Sequence, residues 1–246
     1  MKQNKYDEPG FFANYSTMSR SIGGLDAAGE WHVLREMLPE LSGKRVLDLG
    51  CGFGWHCRYV REQQASSVVG IDLSDNMLDR ARALTNDAGI EYRNCAIEDL
   101  AFQPGEFDVV LSSLALHYVE DFSSVCRTVY EALAAGGSFV LSAEHPVFTA
   151  FAAQDWHYGP NGEKLHWPVD GYYSEGARET NFLGHDVVKY HRTVASYLNS
   201  LIEAGFRIKE LSEPQPSQEM LAEYPDMKDE LRRPMFLMIA AVKSGD

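Results

Sequence analysis

Short apolar runs alternate along the chain with longer segments in which apolar residues recur every three or four positions. The runs, which are rich in β-branched residues, predict strands at 45–49, 68–71, 90–93, 107–112 and 138–142. After the second run, Met77, Leu78 and Ala81 follow the period of a helix. Ser74 or Asp75 is placed to cap its N-terminus. Strands that alternate with helices predict βαβ units, and therefore an α/β fold with a parallel sheet.

The later part of the chain continues this alternation after an interruption. A helix is predicted at 122–134, followed by a left-handed stop at Gly136–Gly137, and another helix at 193–204, ended by Gly205. Strands are predicted at 206–211 and 235–242. The segment 213–234 is rich in proline and charge, so we expect it to run over the surface with the pair Arg232–Arg233 in solvent.

The interruption, residues 145–191, shows no strong period and is unusually aromatic. It holds five of the eight histidines and nine aromatic residues: Phe148, Phe151, Trp156, Tyr158, Trp167, Tyr172, Tyr173, Phe182 and Tyr190. An irregular polar segment with this much aromatic surface has to pack on something. We therefore expect an irregular cap that covers a binding site and favours an apolar or aromatic ligand.

Composition and charge narrow the possible functions. The 246 residues carry a formal charge of −14 and no extended basic patch, which argues against a nucleic acid partner. The four cysteines lack the spacing of a zinc site, so we expect neither a metal nor a disulfide. The amino terminus is polar, and no apolar run approaches the length of a membrane span. We expect a cytoplasmic protein.

The candidate chemistry begins at a glycine-rich turn after the first predicted strand, in Val46-Leu47-Asp48-Leu49-Gly50-Cys51-Gly52-Phe53-Gly54. Such a turn lets a nucleotide approach the backbone. Asp72 ends the next strand, 22 residues after Gly50, where a carboxylate can bind both hydroxyls of a ribose. Asp48 would repel a pyrophosphate, and Trp55 replaces the third glycine of the dinucleotide pattern. These features favour a ligand with an amine or a sulfonium.

Together these residues resemble the class I S-adenosylmethionine-dependent methyltransferases. Three further segments share the likeness: Gly70-Ile71-Asp72-Leu73-Ser74-Asp75-Asn76-Met77-Leu78, Phe107-Asp108-Val109-Val110-Leu111-Ser112-Ser113-Leu114-Ala115-Leu116-His117-Tyr118 and Leu133-Ala134-Ala135-Gly136-Gly137-Ser138-Phe139. The chain is most similar to the small-molecule branch, methyltransferase type 11, that includes enzymes of ubiquinone and menaquinone biosynthesis. The resemblance implies a Rossmann-like three-layer sandwich, with a seven-stranded, mostly parallel sheet of order 3-2-1-4-5-7-6 whose last strand is antiparallel.

The resemblance also implies S-adenosyl-L-methionine as cofactor and roles for particular residues. Gly50 and Gly52 should contact its methionine end, with Asp48 and the Ser112 carbonyl near the amine, while Asp72 holds the ribose. Where the family commonly has an acid for the adenine amine, this chain has Ala96, so Glu98 takes over or the contact is absent. The full expected set is Tyr15, Arg20, Asp48, Gly50, Cys51, Gly52, Asp72, Leu73, Met77, Ala96, Ile97, Glu98, Ser112 and Leu114.

Catalytic residues are harder to identify, because methyl transfer depends mainly on alignment and needs a base only when the nucleophile carries a proton. The candidates are His117 and His145, which follow the fourth and fifth predicted strands, and His191, which lies just before a predicted helix. We expect methyl transfer to a small, apolar or aromatic acceptor. Two alternatives stay open: a cofactor-binding sensor or partner subunit without turnover, and an NAD(P)-dependent oxidoreductase using Tyr224 and Lys228, although Pro225 disfavours a helix there.

The expected organisation is a single domain that forms a monomer or a homodimer. Residues 1–40 form an N-terminal helical lid, 41–144 the cofactor-binding half, 145–191 the cap over the acceptor and 192–246 the C-terminal helix and strands.

Overall fold

A computed structural model describes residues 2–245 of the chain, which fold as helices packed on a central sheet. The strands are β1 (Arg45–Leu49), β2 (Ser67–Asp72), β3 (Ile90–Asn94), β4 (Phe107–Ser113), β5 (Leu133–Glu144), β6 (His157–Tyr158), β7 (Lys164–His166), β8 (Gly176–Phe182), β9 (His185–His191), β10 (Phe206–Ser212) and β11 (Phe236–Lys243). The helices are α1 (Pro9–Ser16), α2 (Ser19–Gly23), α3 (Trp31–Met37), α4 (Trp55–Glu62), α5 (Asp75–Ala83), α6 (Phe122–Ala132), α7 (Pro146–Thr149), α8 (Val194–Glu203) and α9 (Gln218–Glu223).

The central sheet has seven strands in the order β3-β2-β1-β4-β5-β11-β10. Strand β11 runs antiparallel to both of its neighbours, whereas β1 to β5 pair in parallel. This confirms the predicted fold class and strand order. Because β1 pairs in parallel with both β2 and β4, the carboxyl ends of these strands meet at one edge of the sheet.

Local signals placed most of these elements correctly. Ser74 caps α5 by accepting a hydrogen bond from the Met77 N–H over 3.1 Å, and Thr193 caps α8 in the same way. The predicted start of β5 was wrong, because the strand begins at Leu133 and not at residue 138. Gly136, the predicted helix stop, lies inside the strand with a φ of +74°. The strand extends because Leu133 is fully buried and pairs with Phe107 before the register shifts.

The segment 145–191 is more regular than its sequence indicates. Strands β8 and β9 form an antiparallel hairpin joined at Leu183–Gly184, both with positive φ, and β6 and β7 form a smaller one. The prediction that this segment lacks regular secondary structure was therefore wrong. The sequence of β9 does not alternate between apolar and polar residues, because two of its buried residues, Lys189 and His191, are polar.

The segment 213–234 is also more than a surface excursion. Arg233 is only 7% exposed, and its guanidinium lies 4.0 Å from the ring of Trp167 and 4.8 Å from that of Phe148. The expectation that Arg233 is solvated was wrong, because stacked aromatic rings and the carboxylate of Glu230 replace water around it. Within residues 2–245, no helix is long and apolar enough to cross a bilayer.

Candidate functional site

A large cavity of about 1590 Å³ opens at the edge where the parallel strands end. One part of its wall comes from strand ends and the loops after them: Gly50, Gly52, Asp72, Leu73, Met77, Ala96, Ile97, Glu98, Leu114, His117 and Glu144. Another part comes from the N-terminal segment and the hairpin-containing cap: Tyr6, Tyr15, Arg20, Glu30, Phe148, Gln154, Phe182, Lys189 and Tyr190. The cavity therefore joins the glycine-rich turn to the aromatic segment in one space.

The glycine-rich turn is shaped by close backbone contacts. The N–H groups of Gly50 and Cys51 both donate to the carbonyl of Ile71 over 2.9 Å. Gly50 has a φ of +72°, and a Cβ built on it would lie 2.4 Å from the Cβ of Ala115. Only glycine fits there, which keeps backbone atoms at the cavity wall.

Asp72 is fixed at the end of β2 by backbone donors. Its two carboxylate oxygens accept from the N–H of Gly52 over 3.0 Å and of Ser74 over 2.9 Å. Burial raises the pKa of this carboxyl to about 6, although these two donors oppose the rise. The chain thus holds a carboxylate at the cavity wall with lone pairs left for hydroxyl donors.

Asp48 lies deeper than the cavity. It is 1% exposed, and its Oδ2 accepts only from the Sγ–H of Cys57 over 3.2 Å, while Oδ1 has no partner among the described residues. Burial raises its pKa to about 7, and the nearby charge of Asp72 adds to the rise. Asp48 therefore supports the turn from beneath and does not line the cavity.

This raised pKa gives a pH-dependent prediction for Asp48→Asn. An acid whose pKa is higher in the folded state lowers the free energy of unfolding as pH rises from about 4 through about 7. The neutral amide removes this loss of about 4 kcal/mol, so without cofactor the variant should melt about 10 °C above the wild type at pH 8. At pH 4.5 the two should melt together. Thermal unfolding followed by circular dichroism at both pH values tests this, and a variant that melts lower at pH 8 would contradict it.

The N-terminal segment brings an ion pair to the cavity. Arg20 donates to Oε1 of Glu30 over 3.0 Å, and Glu30 is 1% exposed. Its second oxygen, Oε2, is buried without a hydrogen-bond partner in the part of the chain that the structure describes. Asp7 ties the same segment to α5, because it accepts from the Ser74 hydroxyl over 2.6 Å. Glu30 thus presents an unsatisfied acceptor beside the cation of Arg20.

The three candidate histidines are placed differently. His117 lines the cavity, and burial lowers its pKa to about 4. His145 and His191 are buried outside the cavity wall, 3% and 0% exposed. Both ring nitrogens of His145 are engaged, by the Glu213 carboxylate and the Val147 N–H. Those of His191 are engaged as well, by Thr149 and the Tyr172 carbonyl. The sequence expectation that these two histidines act on substrate finds no support in their positions.

Comparisons with known proteins decide the family. Residues 47–141 match the family described as Methyltransferase domain. A solved S-adenosylmethionine-dependent methyltransferase from Mesorhizobium loti is 48% identical, covers 89% of this chain and 100% of its own, and superimposes with a TM-score of 0.84. The chain belongs to the class I S-adenosylmethionine-dependent methyltransferases. Its cofactor is S-adenosyl-L-methionine.

Two further relatives extend this comparison. A Listeria monocytogenes structure, named as a candidate member of the same class, is 53% identical over 90% of this chain and 99% of its own, with a TM-score of 0.86. Ubiquinone biosynthesis O-methyltransferase of Neisseria meningitidis is 34% identical over 142 residues, which are 52% of this chain and 59% of that protein. The likeness to that enzyme thus spans about half of either chain.

The residues of this methyltransferase fit the cofactor. The Gly50 turn leaves no space for a side chain, so a ligand can approach its backbone. The orphaned Oε2 of Glu30 can accept from an ammonium group, and Arg20 can face a carboxylate. Of the expected cofactor residues, only Asp48, Cys51 and Ser112 do not line the large cavity. The hydroxyl of Ser112 donates to the carbonyl of Leu49, and Cys51 borders a small neighbouring cavity.

Sequence reasoning missed several polar residues of the site. Glu30, Gln154 and Lys189 line the cavity but match no motif. The available signal for Lys189 was its two-residue spacing from Val187 and His191, which share its buried face of β9. No local signal identified Glu30, because its partner Arg20 lies in another helix.

Proposed function

We propose that this methyltransferase transfers the methyl group to a small acceptor with an apolar or aromatic frame, enclosed between the sheet edge and the cap. The observation that carries the proposal is the single cavity of about 1590 Å³, because the Gly50 turn and the aromatic cap residues border the same space. A deep cavity lined in part by aromatic side chains favours ligands with apolar area.

In this proposal the cofactor is held by the cavity-lining members of the expected set. The backbone at Gly50 and Gly52 approaches its methionine end, and Asp72 accepts from the ribose hydroxyls. Leu73, Met77 and Ile97 provide apolar contact for the adenine, and Glu98 borders the same region in place of the acid missing at Ala96. The Arg20–Glu30 pair offers opposite charges to the carboxylate and the ammonium of the amino-acid end.

The bound cofactor supplies an activated methyl group on a sulfonium centre. The chain then has to exclude water and to hold the acceptor in line, at about 3–3.5 Å from the methyl carbon. His117 contributes a neutral ring, since burial lowers its pKa to about 4. Its Nδ1 accepts from the Glu144 N–H over 3.5 Å, which leaves the ring hydrogen on Nε2. We therefore propose His117 as a hydrogen-bond donor to the acceptor, not as a general base.

The proposed organisation keeps the four regions of a single domain: lid 1–40, cofactor half 41–144, cap 145–191 and C-terminal part 192–246. The lid is linked to the cofactor half through Asp7 and Ser74 and to the cap through Gln3 and the N–H of Val188. The formal charge of −14 supports a small molecule over nucleic acid as acceptor.

Replacing Asp72 by alanine should weaken the affinity for S-adenosylmethionine by about 10–100-fold, because hydrogen bonds to a charged group contribute about 1.5–3 kcal/mol. Isothermal titration calorimetry measures this affinity directly, and NADH serves as a control ligand that should not bind. Asp79→Ala is the matched control, since the Asp79 side chain is 76% exposed on the neighbouring helix α5. An unchanged dissociation constant in Asp72→Ala would remove Asp72 from the ribose site.

The acceptor part of the proposal is tested by turnover. Release of S-adenosylhomocysteine is measured with a panel of apolar, aromatic and charged small molecules. Turnover restricted to compounds with an apolar or aromatic frame supports the proposal. Tight cofactor binding without product across the whole panel would favour a sensor or partner subunit instead.

A further inference from the structure

A buried polar network in the cavity wall is formed by Lys189, Glu144 and Gln154, and Thr180 also donates to Gln154 Oε1. Lys189 Nζ donates to Oε1 of Glu144 over 2.6 Å and to Oε1 of Gln154 over 3.0 Å. Gln154 Nε2 in turn donates to Oε2 of Glu144 over 3.2 Å. The side chain of Lys189 is only 2% exposed and that of Glu144 14%. The network is thus a built feature of the cavity and not a surface ion pair.

The network leaves one N–H donor of Lys189 and two lone pairs of Glu144 unused. An ammonium group has three N–H donors, and two of those of Lys189 are taken by its partners among the described residues. Each carboxylate oxygen of Glu144 accepts one bond within the network and has a second lone pair. Glu144 and Lys189 both line the cavity, so a ligand there meets a donor and an acceptor side by side.

The backbone is strained at one residue of this network. Gln154, which closes the network, has a φ of +48°, a left-handed conformation that costs energy for any residue except glycine. Burying the ammonium of Lys189 is costly as well, although the ring of Phe182 lies 5.1 Å from Nζ. Strain of this kind concentrates at binding sites, where it fixes the position of a group that contacts a ligand.

The charges of the network decide which ligand group fits. A carboxylate that approached Lys189 would lie beside the like charge of Glu144, and an ammonium that approached Glu144 would lie beside Lys189. An ether oxygen accepts from Lys189 but leaves the lone pair of Glu144 unused. A hydroxyl group both accepts and donates, so it alone among these groups satisfies both residues.

We propose that Lys189 and Glu144 anchor a neutral hydroxyl group of the methyl acceptor and thereby select alcohols and phenols over acids, amines and ethers. This inference rests on the proposed function, because it places the acceptor in the same cavity. The hydroxyl accepts from Lys189 Nζ and donates to a Glu144 oxygen. Phe148 and Phe182 line the same cavity and contact the apolar frame of the acceptor.

The test compares four probes that share one frame: 4-propylphenol, 4-propylanisole, 4-propylbenzoate and 4-propylbenzylamine. Their dissociation constants are measured by ligand-observed NMR on the full chain saturated with S-adenosylhomocysteine. The wild type should bind the phenol about tenfold more tightly than each of the others, the effect of one hydrogen bond to a charged group. In the double variant Glu144→Met/Lys189→Met, both the donor and the acceptor are lost, and the preference for the phenol over the anisole should disappear.

Two controls make the outcomes distinct. Lys164→Met removes an ammonium that pairs with Asp229 outside the cavity wall. This variant should therefore still bind the phenol more tightly than the anisole. An unchanged affinity for S-adenosylhomocysteine in the double variant shows that its cofactor site is folded. Tightest binding of the benzoate or benzylamine by the wild type, or an unchanged preference in the double variant, overturns the anchor while the proposed function stands. If S-adenosylhomocysteine binds but none of the four probes does, the proposal of an apolar or aromatic acceptor is wrong. The proposed hydroxyl anchor is then wrong as well.

Discussion

Gly50→Ala should weaken the affinity of this methyltransferase for S-adenosylmethionine by about 10–100-fold, because a displaced turn loses its contacts with the cofactor, and each hydrogen bond to a charged group contributes about 1.5–3 kcal/mol. Gly50 holds a φ of +72°, and its new methyl group would lie 2.4 Å from the Cβ of Ala115. Atoms cannot approach so closely, so the turn has to move away from its present position. Calorimetric titration of the variant with S-adenosylmethionine measures the loss.

Gly43 offers a matched control for this substitution. It has the same φ of +72°, but a Cβ there would meet no atom within 4 Å. Gly43→Ala therefore carries only the left-handed backbone cost, about 1–2 kcal/mol of stability, and should bind the cofactor normally. The double variant Gly50→Ala/Ala115→Gly removes the clash and should recover part of the affinity. Normal binding by Gly50→Ala would show that the cofactor does not depend on this turn.

Lys189→Met should lower the free energy of unfolding by about 3–5 kcal/mol, because it leaves the buried carboxylate of Glu144 without its countercharge. Burial by itself raises the pKa of Glu144, and the Lys189 ammonium, with hydrogen bonds from Lys189 and Gln154, holds that pKa below its usual value. The double variant Glu144→Met/Lys189→Met buries no charge at this position. It should recover most of the lost stability, since apolar side chains of similar volume commonly replace buried ion pairs at little cost.

Denaturant unfolding at pH 7 of the wild type, both single variants and the double variant gives the coupling energy of the pair. Lys164→Met, which breaks the exposed pair with Asp229, should leave the unfolding midpoint nearly unchanged. Effects of the two single substitutions that simply add in the double variant would show that Glu144 and Lys189 do not depend on each other.

The cofactor half could be predicted because its signals are local. Asp72 and Gly50 stand at the ends of strands that are visible as apolar runs, and parallel pairing necessarily brings those ends to one edge of the sheet. The cap of α5 needed only Ser74 and the N–H three residues later. Asp48 belonged to the same motif, yet its place beneath the turn follows from packing against Cys57, which no motif encodes.

The acceptor side depended on contacts between distant parts of the chain. Whether a lysine such as Lys189 is buried is decided by its partner, and Glu144 lies 45 residues away in sequence. His145 was a catalytic candidate because it follows a predicted strand, and His191 because it lies just before a predicted helix. In the fold neither lines the cavity, and their ring nitrogens are hydrogen-bonded elsewhere.

The amino-acid sequence by itself determined the fold class, the strand order and the family, since the spacing of apolar residues, the glycines of a turn and an acid at a strand end are local signals. Only the tertiary structure decided which charged side chains line the cavity. The free energy of burying a charge depends on a partner that the chain brings from far away, so the Glu144–Lys189 pair exists only once the fold has brought these two side chains together.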